Sequence, residues 1–243
     1  MSWAAIVAVI AITAGAGTVQ ALTGFGFALL STPLLAVVVG PREAVVVSVL
    51  YGTITATSMS YQFRSTIDRP VLWRMCAGRL VGMPLGVWLL TAVGRDALRL
   101  AIALSVLVSA WLLWRGVRLQ RRGAAVDVAA GVLSGALTTS VSTGGPPLVL
   151  AMQARGMDPD TFRGTMSAVS LYTGAIAVAL LAGSGNVSRA SLVATVAGAP
   201  GLVAGVAAGR ALVPRVDAER FRVVVLGLLV VASVIAAGSV LGG

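Results

Sequence analysis

Long apolar runs separated by short polar turns set the pattern of this chain. Residues 3–39 form the first run, interrupted around Thr23, Gly24, Gly26 and Pro33. A single membrane crossing takes about 20 residues, so this run is long for one crossing and barely long enough for two. Gly40, Pro41 and Arg42 end it, and 44–63 make a full span. After a polar turn from Arg64 to Arg69, Pro70 stands where a helix start tolerates proline and 71–92 span again. Gly94, Arg95 and Asp96 turn the chain into 97–114, which ends at Trp111 and Trp114, residues suited to a membrane interface. A basic stretch at 115–127 leads into a second interrupted segment, 127–154. A turn at Asp158, Pro159 and Asp160 follows, and then spans at about 164–183, 190–209 and 221–241.

The order of parts repeats. Pro33-Leu34 matches Pro147-Leu148, Gly82 and Gly86 match Gly201 and Gly205, and Asp96 with Arg99 matches Asp217 with Arg220. A repeat of this kind decides the fold reading before any single residue does. It divides the chain into a first membrane repeat (1–114), a basic linker (115–126) and a second membrane repeat (127–243). At small-xxx-small spacing the glycine pairs predict close helix contacts in preference to a direct site role.

Composition fixes the class. The chain has 243 residues, 58% of them hydrophobic and 11% charged, with a mean hydropathy of +0.96, far from the composition of soluble domains. The lone Cys76 excludes an internal disulfide, and histidine is absent. All eighteen basic residues are arginines, mostly at the ends of apolar runs. The formal charge of +10 therefore points to orientation anchors and lipid headgroups, not to nucleic acid. With no basic residue ahead of MSWAAIVAVI, a cleaved secretory leader is not expected.

The arginines also predict topology. A single crossing by 127–154 would divide them almost evenly. If that segment enters and returns to the same side, only Arg42, Arg95, Arg99 and Arg189 fall on one side and thirteen fall on the other, as the positive-inside rule requires. The second interrupted segment is therefore expected to be a re-entrant hairpin from the cytoplasm, with the linker cytoplasmic and the C-terminus outside. The first segment has no charge ahead of it, and only analogy with the second makes it a hairpin from the opposite side. The expected fold class is an all-α polytopic membrane protein of two inverted repeats, each a broken, re-entrant helical hairpin plus three transmembrane helices. Broken elements in matched positions of two halves are the best sequence pointer to a transporter's substrate site, because irregular backbone in a membrane must be buried in protein or line a cavity.

The segment AGTVQALTGFGFALLSTPLL, Ala16 to Leu35, and GALTTSVSTGGPPLVLAM with the following FRGTMSAVSLY resemble the two repeat signatures of the TauE/SafE sulfite exporter family. The resemblance covers essentially the whole chain. It implies a multi-pass protein of the bacterial inner membrane with an export or uptake role for sulfite, sulfoacetate or a similar organosulfur anion, without ATP hydrolysis, and it names no single substrate; export is the expected direction.

Candidate chemistry agrees with an anion. Broken helices leave N–H groups whose partial charge favours anions. In the second segment Thr138, Thr139, Ser140, Ser142 and Thr143 add hydroxyls, Gly144 and Gly145 allow close backbone approach, and Pro146 and Pro147 fix the exit direction. In the first, Gln20, Thr23, Gly24, Gly26, Ser31, Thr32 and Pro33 offer a similar set. The competing reading is that these hydroxyls satisfy their own helices. Arg79 is the one charge well inside a span, at an insertion cost of at least about 2.5 kcal/mol, and is the first candidate for an anion contact. The alternatives for it are snorkelling or bonding to hairpin carbonyls. The eight acids sit at span ends or in turns, so no buried titratable acid is expected. Asp127 is the remaining candidate for proton coupling, against a plain helix-start role. No cofactor or metal is implied. A secondary carrier ranks first and an anion channel of the same architecture second. An enzyme, lacking acid–base or metal-binding groups, ranks third, and a structural scaffold last.

Overall fold

The computed structural model describes residues 1–23, 26–115, 123–212 and 218–241. All regular structure among them is helical: α1 (Trp3–Thr23), α2 (Phe27–Val38), α3 (Pro41–Gln62), a 3₁₀ turn at Arg64–Thr66, α4 (Arg69–Ala92), α5 (Arg95–Arg115), α6 (Ala124–Val141), α7 (Gly145–Ala154), α8 (Pro159–Gly183), α9 (Arg189–Leu212) and α10 (Ala218–Leu241). Among the described residues seven helices are long and apolar enough to cross a membrane, namely α1, α3, α4, α5, α6, α8 and α9. The short helices α2 and α7, of 12 and 10 residues, follow long ones, and the same sequence of long, short, long, long, long occurs twice.

Local chemistry sets the element boundaries. Proline opens α3, α4, α7 and α8 at the first turn, where a missing N–H costs nothing. The carboxylate of Asp68 caps α4 by accepting from Val71 N, and that of Asp158 caps α8 by accepting from Asp160 N and Thr161 N. These backbone donors hold the Asp158 carboxyl below its usual range. The break after α6 is a left-handed residue, Ser142 at φ 60, the one non-glycine with positive φ among the described residues. Ser142 N donates to Thr138 O and Thr143 N to Leu137 O, a closure that uses up two of the freed carbonyls. The break before α2 turns at Gly26, φ 104, and Phe27 N then donates to the side-chain oxygen of Gln20 at 3.0 Å.

Pro33 does not break the first segment as the sequence reading expected. It lies inside α2, whose helix runs on through it, just as α4 and α9 run on through Pro84 and Pro200. Neighbouring helices make such prolines tolerable in a membrane bundle. Nor is the Pro33–Pro147 match a structural equivalence, since Pro147 stands in the first turn of α7 and Pro33 in the middle of α2. Of the expected linker, 115–126, residues 116–122 with Arg118, Arg121 and Arg122 lie outside the described residues; α5 runs to Arg115 and α6 starts at Ala124. Trp111 and Trp114 are exposed near the end of α5 with the Arg115 guanidinium over both rings.

Polar contacts group the helix ends into two sets. At one end of the bundle Thr66 donates to Asp160 O, Asp68 N donates to Thr165 Oγ1, and Arg210 at the end of α9 donates to Ser58 near the end of α3. Asp127 at the start of α6 joins that set through Arg74 and Arg155. At the other end Arg42, at the start of α3, donates to the carbonyls of Thr91 and Val93 where α4 stops.

Two helix pairs are packed unusually closely, α4 with α6 and α1 with α9. Cβ atoms placed on Gly78, Gly82 and Gly86 of α4 would run into the backbone of α6 at Val128, Val132 and Ala136, and Gly135 of α6 is equally tight against Arg79 of α4. On α9, Gly201 and Gly205 lie against Ile10 and Ala14 of α1 in the same way. Thr139 Oγ1 crosses the first interface to Met83 O, while Thr13 and Thr18 cross the second to Gly198 O and Gly205 O. The glycine pairs are thus helix contacts. The main apolar core surrounds α2, with Phe27 edge-on to Tyr51 at 5.7 Å and the Tyr51 hydroxyl donating to Thr195 O. A second cluster joins α4, α7 and α8 through Met75, Leu148, Met152 and Val169.

This packing predicts that Gly82→Ala lowers the melting temperature in detergent by the equivalent of about 1–3 kcal/mol of overpacking. Gly52→Ala in α3, where a Cβ meets nothing within 4 Å, should hold or raise it by up to about 1 kcal/mol. Equal effects of the two changes would contradict the assignment.

Candidate functional site: a buried arginine at the tip of a broken helix

Gly78, Gly82 and Gly86 bring α4 so close to α6 that Arg79, between them, has nowhere to go but along the hairpin formed by α6 and α7. Its side chain is 5% exposed, so it does not snorkel. Nη2 donates to Thr138 Oγ1 at 2.6 Å, whereas Nε and Nη1 are buried without a hydrogen-bond partner. Thr138 Oγ1 donates a hydrogen bond to the backbone carbonyl of Ser134 at 2.7 Å, and Ser134 Oγ donates to Gly144 O at 2.6 Å. Thr138 and Ser134 thus link the guanidinium to the tip of the hairpin through one backbone carbonyl and one hydroxyl of Ser134. A Cβ at Gly144 would strike Thr138 Oγ1 and Ser134 O, which is why a glycine stands there. Thr143 Oγ1 at the tip is also buried with no partner. An unpaired guanidinium N–H in a buried place is costly, and such groups ask for an acceptor.

The remaining sequence candidates divide clearly. Thr139 bonds to Met83 O of α4 and to Gly135 O, and so ties two helices together, whereas Ser140 bonds to Ala136 O within its own helix. Ser142 makes the left-handed turn. Gly145 has ordinary room, its Cβ position lying 3.7 Å from Met166 Cε. Pro146 and Pro147 remove N–H donors from the first turn of α7, so that helix start is a poorer anion cradle than the sequence suggested and side chains must supply the donors. In the first segment Gln20 caps α2, Thr23 Oγ1 bonds to Val19 O, and Ser31 is paired with Ser48 across α2 and α3 at 2.9 Å. Thr32 Oγ1 is fully buried without a partner, next to Pro33, and Gly26 supplies the turn. Gly24 lies outside the described residues. The structure therefore gathers Arg79, Thr138, Thr143 and Gly144 around one tip and leaves most of the first set in structural roles.

One residue departs from the sequence expectation that no acid is buried. Asp127 is 1% exposed. Its Oδ1 and Oδ2 accept from Arg155 Nε and Nη2 at 2.9 and 2.5 Å, and Oδ2 also lies 3.4 Å from Arg74 Nη1. The pair is bidentate, and it ties the start of α6 to the residue that ends α7. Arg155 is 28 positions beyond Asp127, and nothing in the linear pattern signals that the two meet. Among the described residues no three His, Cys, Asp or Glu side chains lie together so as to hold a metal ion.

Residues 9–236 match the family model described as Sulfite exporter TauE/SafE. The chain belongs to that family. The description of that family names a sulfite exporter. The chain is also 29% identical over 131 residues to the probable inner membrane transporter protein TsaS of Comamonas testosteroni, a match that takes in 50% of this chain and 54% of that protein. It thus spans about half the length of that curated relative. No solved structure matches it. The TauE/SafE match reaches from α1 to α10 and so includes both broken segments.

The Asp127 clamp predicts an asymmetry between its two sides. Arg155→Ala strands a buried carboxylate and should destabilise by about 3–5 kcal/mol. Asp127→Asn releases arginines that are 22% and 40% exposed and can turn to water, so its cost should be smaller, about 1–2 kcal/mol. Thermal unfolding of both variants in the same detergent checks the order, and the reverse order would mean that the carboxylate is not the buried partner.

Proposed function

We propose that this TauE/SafE protein is a secondary transporter that moves a small organosulfur anion, sulfite, sulfoacetate or a similar sulfonate, across the inner membrane by alternating access around its two hairpins. The observation that carries the reading is Arg79, a guanidinium buried at the tip of a broken helix with two N–H groups unpartnered. Two donors on one planar group suit two oxygens of a sulfite or sulfonate, and Thr143 Oγ1 adds a third donor at the same tip. The family description supports sulfite-like cargo, and the relative's name supports the inner membrane.

Several features favour inverted halves. Exchange of the first five helices with the second five turns the α4–α6 pair into α9–α1, and both pairs are packed through glycine. The Asp127–Arg155 clamp supports a hairpin that returns to the face it entered. The ten residues of α7 rise about 15 Å, half of a hydrocarbon core of about 30 Å, which suits a tip at mid-depth. On this topology the arginine-rich end of the bundle faces the cytoplasm and the C-terminus lies outside. With the interior negative, outward movement of an anion gains about 2.3 kcal/mol per charge per 100 mV, so export is the direction we assign. A channel is not favoured, since the family and the relative are described as exporter and transporter.

The test is flux of sulfite and sulfoacetate into proteoliposomes, against empty liposomes and with substrate varied on the trans side. Saturable flux stimulated by trans substrate is expected. Arg79→Ala should lower it at least tenfold while leaving a folded, correctly inserted protein, because the anion loses its one buried charge contact. Full flux in that variant would remove Arg79 from the path, and flux of neither anion in the parent protein would sink the cargo class.

A further inference from the structure

A cavity of about 420 Å³ lies between α1, α3, α8 and α9, away from the α4–α6 crossing that holds Arg79. Its lining includes Gln20, Thr55, Ser58, Gln62, Arg163 and Arg210, with Met59, Phe63 and Val206 between them. Gln20 and Thr55 are buried and make its floor, whereas Ser58, Gln62 and Arg210 are exposed and make its mouth, at the end of the bundle where α3 stops and α8 starts. Gln20 is the informative residue. Its Oε1 is committed to Phe27 N, so the atom left over is the amide nitrogen, a donor only. The described lining thus offers two guanidinium groups and an amide donor and contains no carboxylate. Arg210 donates to Ser58 and has no ion pair among the described residues, where Arg163 is paired with the exposed Asp160 alone, at 3.9 Å.

We infer that this cavity is a second anion-binding site, which receives a small organic anion with its oxygens on Arg163, Arg210 and the Gln20 amide and its apolar body against Met59, Phe63 and Val206. The size decides for an organic anion over bare sulfite. At about 30 Å³ per water the space holds roughly a dozen waters, far more than a four-atom anion displaces, and it falls within the range of small-molecule pockets. The mixed wall would be wasted on an ion with no apolar part. The inference rests on the reading that the protein carries anions, yet the site shares no residue with the Arg79 chain except through the fold.

The test uses the full-length protein in liposomes with Cys76→Ser, to remove the native thiol, and Met59→Cys as reporter, with Gln62→Cys as a second reporter should the first fold poorly. Modification rates are measured for an anionic sulfonatoethyl methanethiosulfonate and a cationic trimethylammonioethyl methanethiosulfonate, each relative to free cysteine. The expected result is at least a fivefold preference for the anionic reagent at the reporter. Arg163→Gln with Arg210→Gln should abolish it, while Arg69→Gln, an exposed arginine outside the cavity, and Arg79→Ala should leave it intact. Protection of the reporter by sulfoacetate would support both the site and the sulfonate cargo. The same preference without protection would support the site and count against that cargo. No preference, or one that survives loss of both arginines, overturns the inference.

Discussion

Breaking a helix inside an apolar bundle frees backbone groups that must find partners in the protein, and the rest of this structure follows from how that is done. Side chains do most of it. Gln20 accepts from the first N–H of α2, Ser134 Oγ donates to Gly144 O, and the left-handed Ser142 folds the end of α6 back on its own carbonyls. What is left over among the described residues is small: two donors on Arg79, the Nε groups of Arg42 and Arg99 near helix starts, and the hydroxyls of Thr143 and Thr32. The surplus is donor-rich, and that is the property on which the proposed anion contact rests.

Close packing supplies the second requirement, which is to hold those leftovers in place. Glycines on α4 and α9 let whole helix backbones touch, and cross-helix bonds from Thr139, Thr13 and Thr18 fix the register. Arg79 lies in the middle of one such contact, flanked by Gly78 and Gly82. Its position is therefore set by backbone-to-backbone distance more than by its own rotamer. The Asp127 clamp does the same at the open end of the hairpin, where one buried carboxylate holds the start of α6 to Arg155 at the end of α7 and to Arg74 of α4.

Much of this was legible in the sequence. The long spans, the two broken segments and the packing role of Gly82, Gly86, Gly201 and Gly205 follow from hydropathy and small-residue spacing, and Arg79 stood out because charge inside a span is rare. Three things were not legible. Pro33 reads as a breaker in one dimension, but packed neighbours carry a helix through it. Asp127 reads as a span end, because its burial depends on Arg155 and Arg74, which only folding brings to it. Hydroxyls such as Ser31 and Thr139 read as donors for a ligand, and they turn out to be occupied by Ser48 and Met83, since pattern alone does not reveal which neighbours a helix face will meet.

The pairing of α1 with α9 also has a temporal side. Thr13 of the first helix bonds to Gly198, 185 positions further along the chain, whereas α6 emerges after its own partner α4 is already made. At about 5–20 residues per second, α1 waits roughly 10–40 s for the helix that its glycine-sized face is shaped to meet. During that interval Thr13, Thr18 and the broken segment behind them must be held by lipid, by earlier helices or by the insertion machinery. The helix that leads into the first broken segment is thus made first, yet it is locked only when α9 emerges.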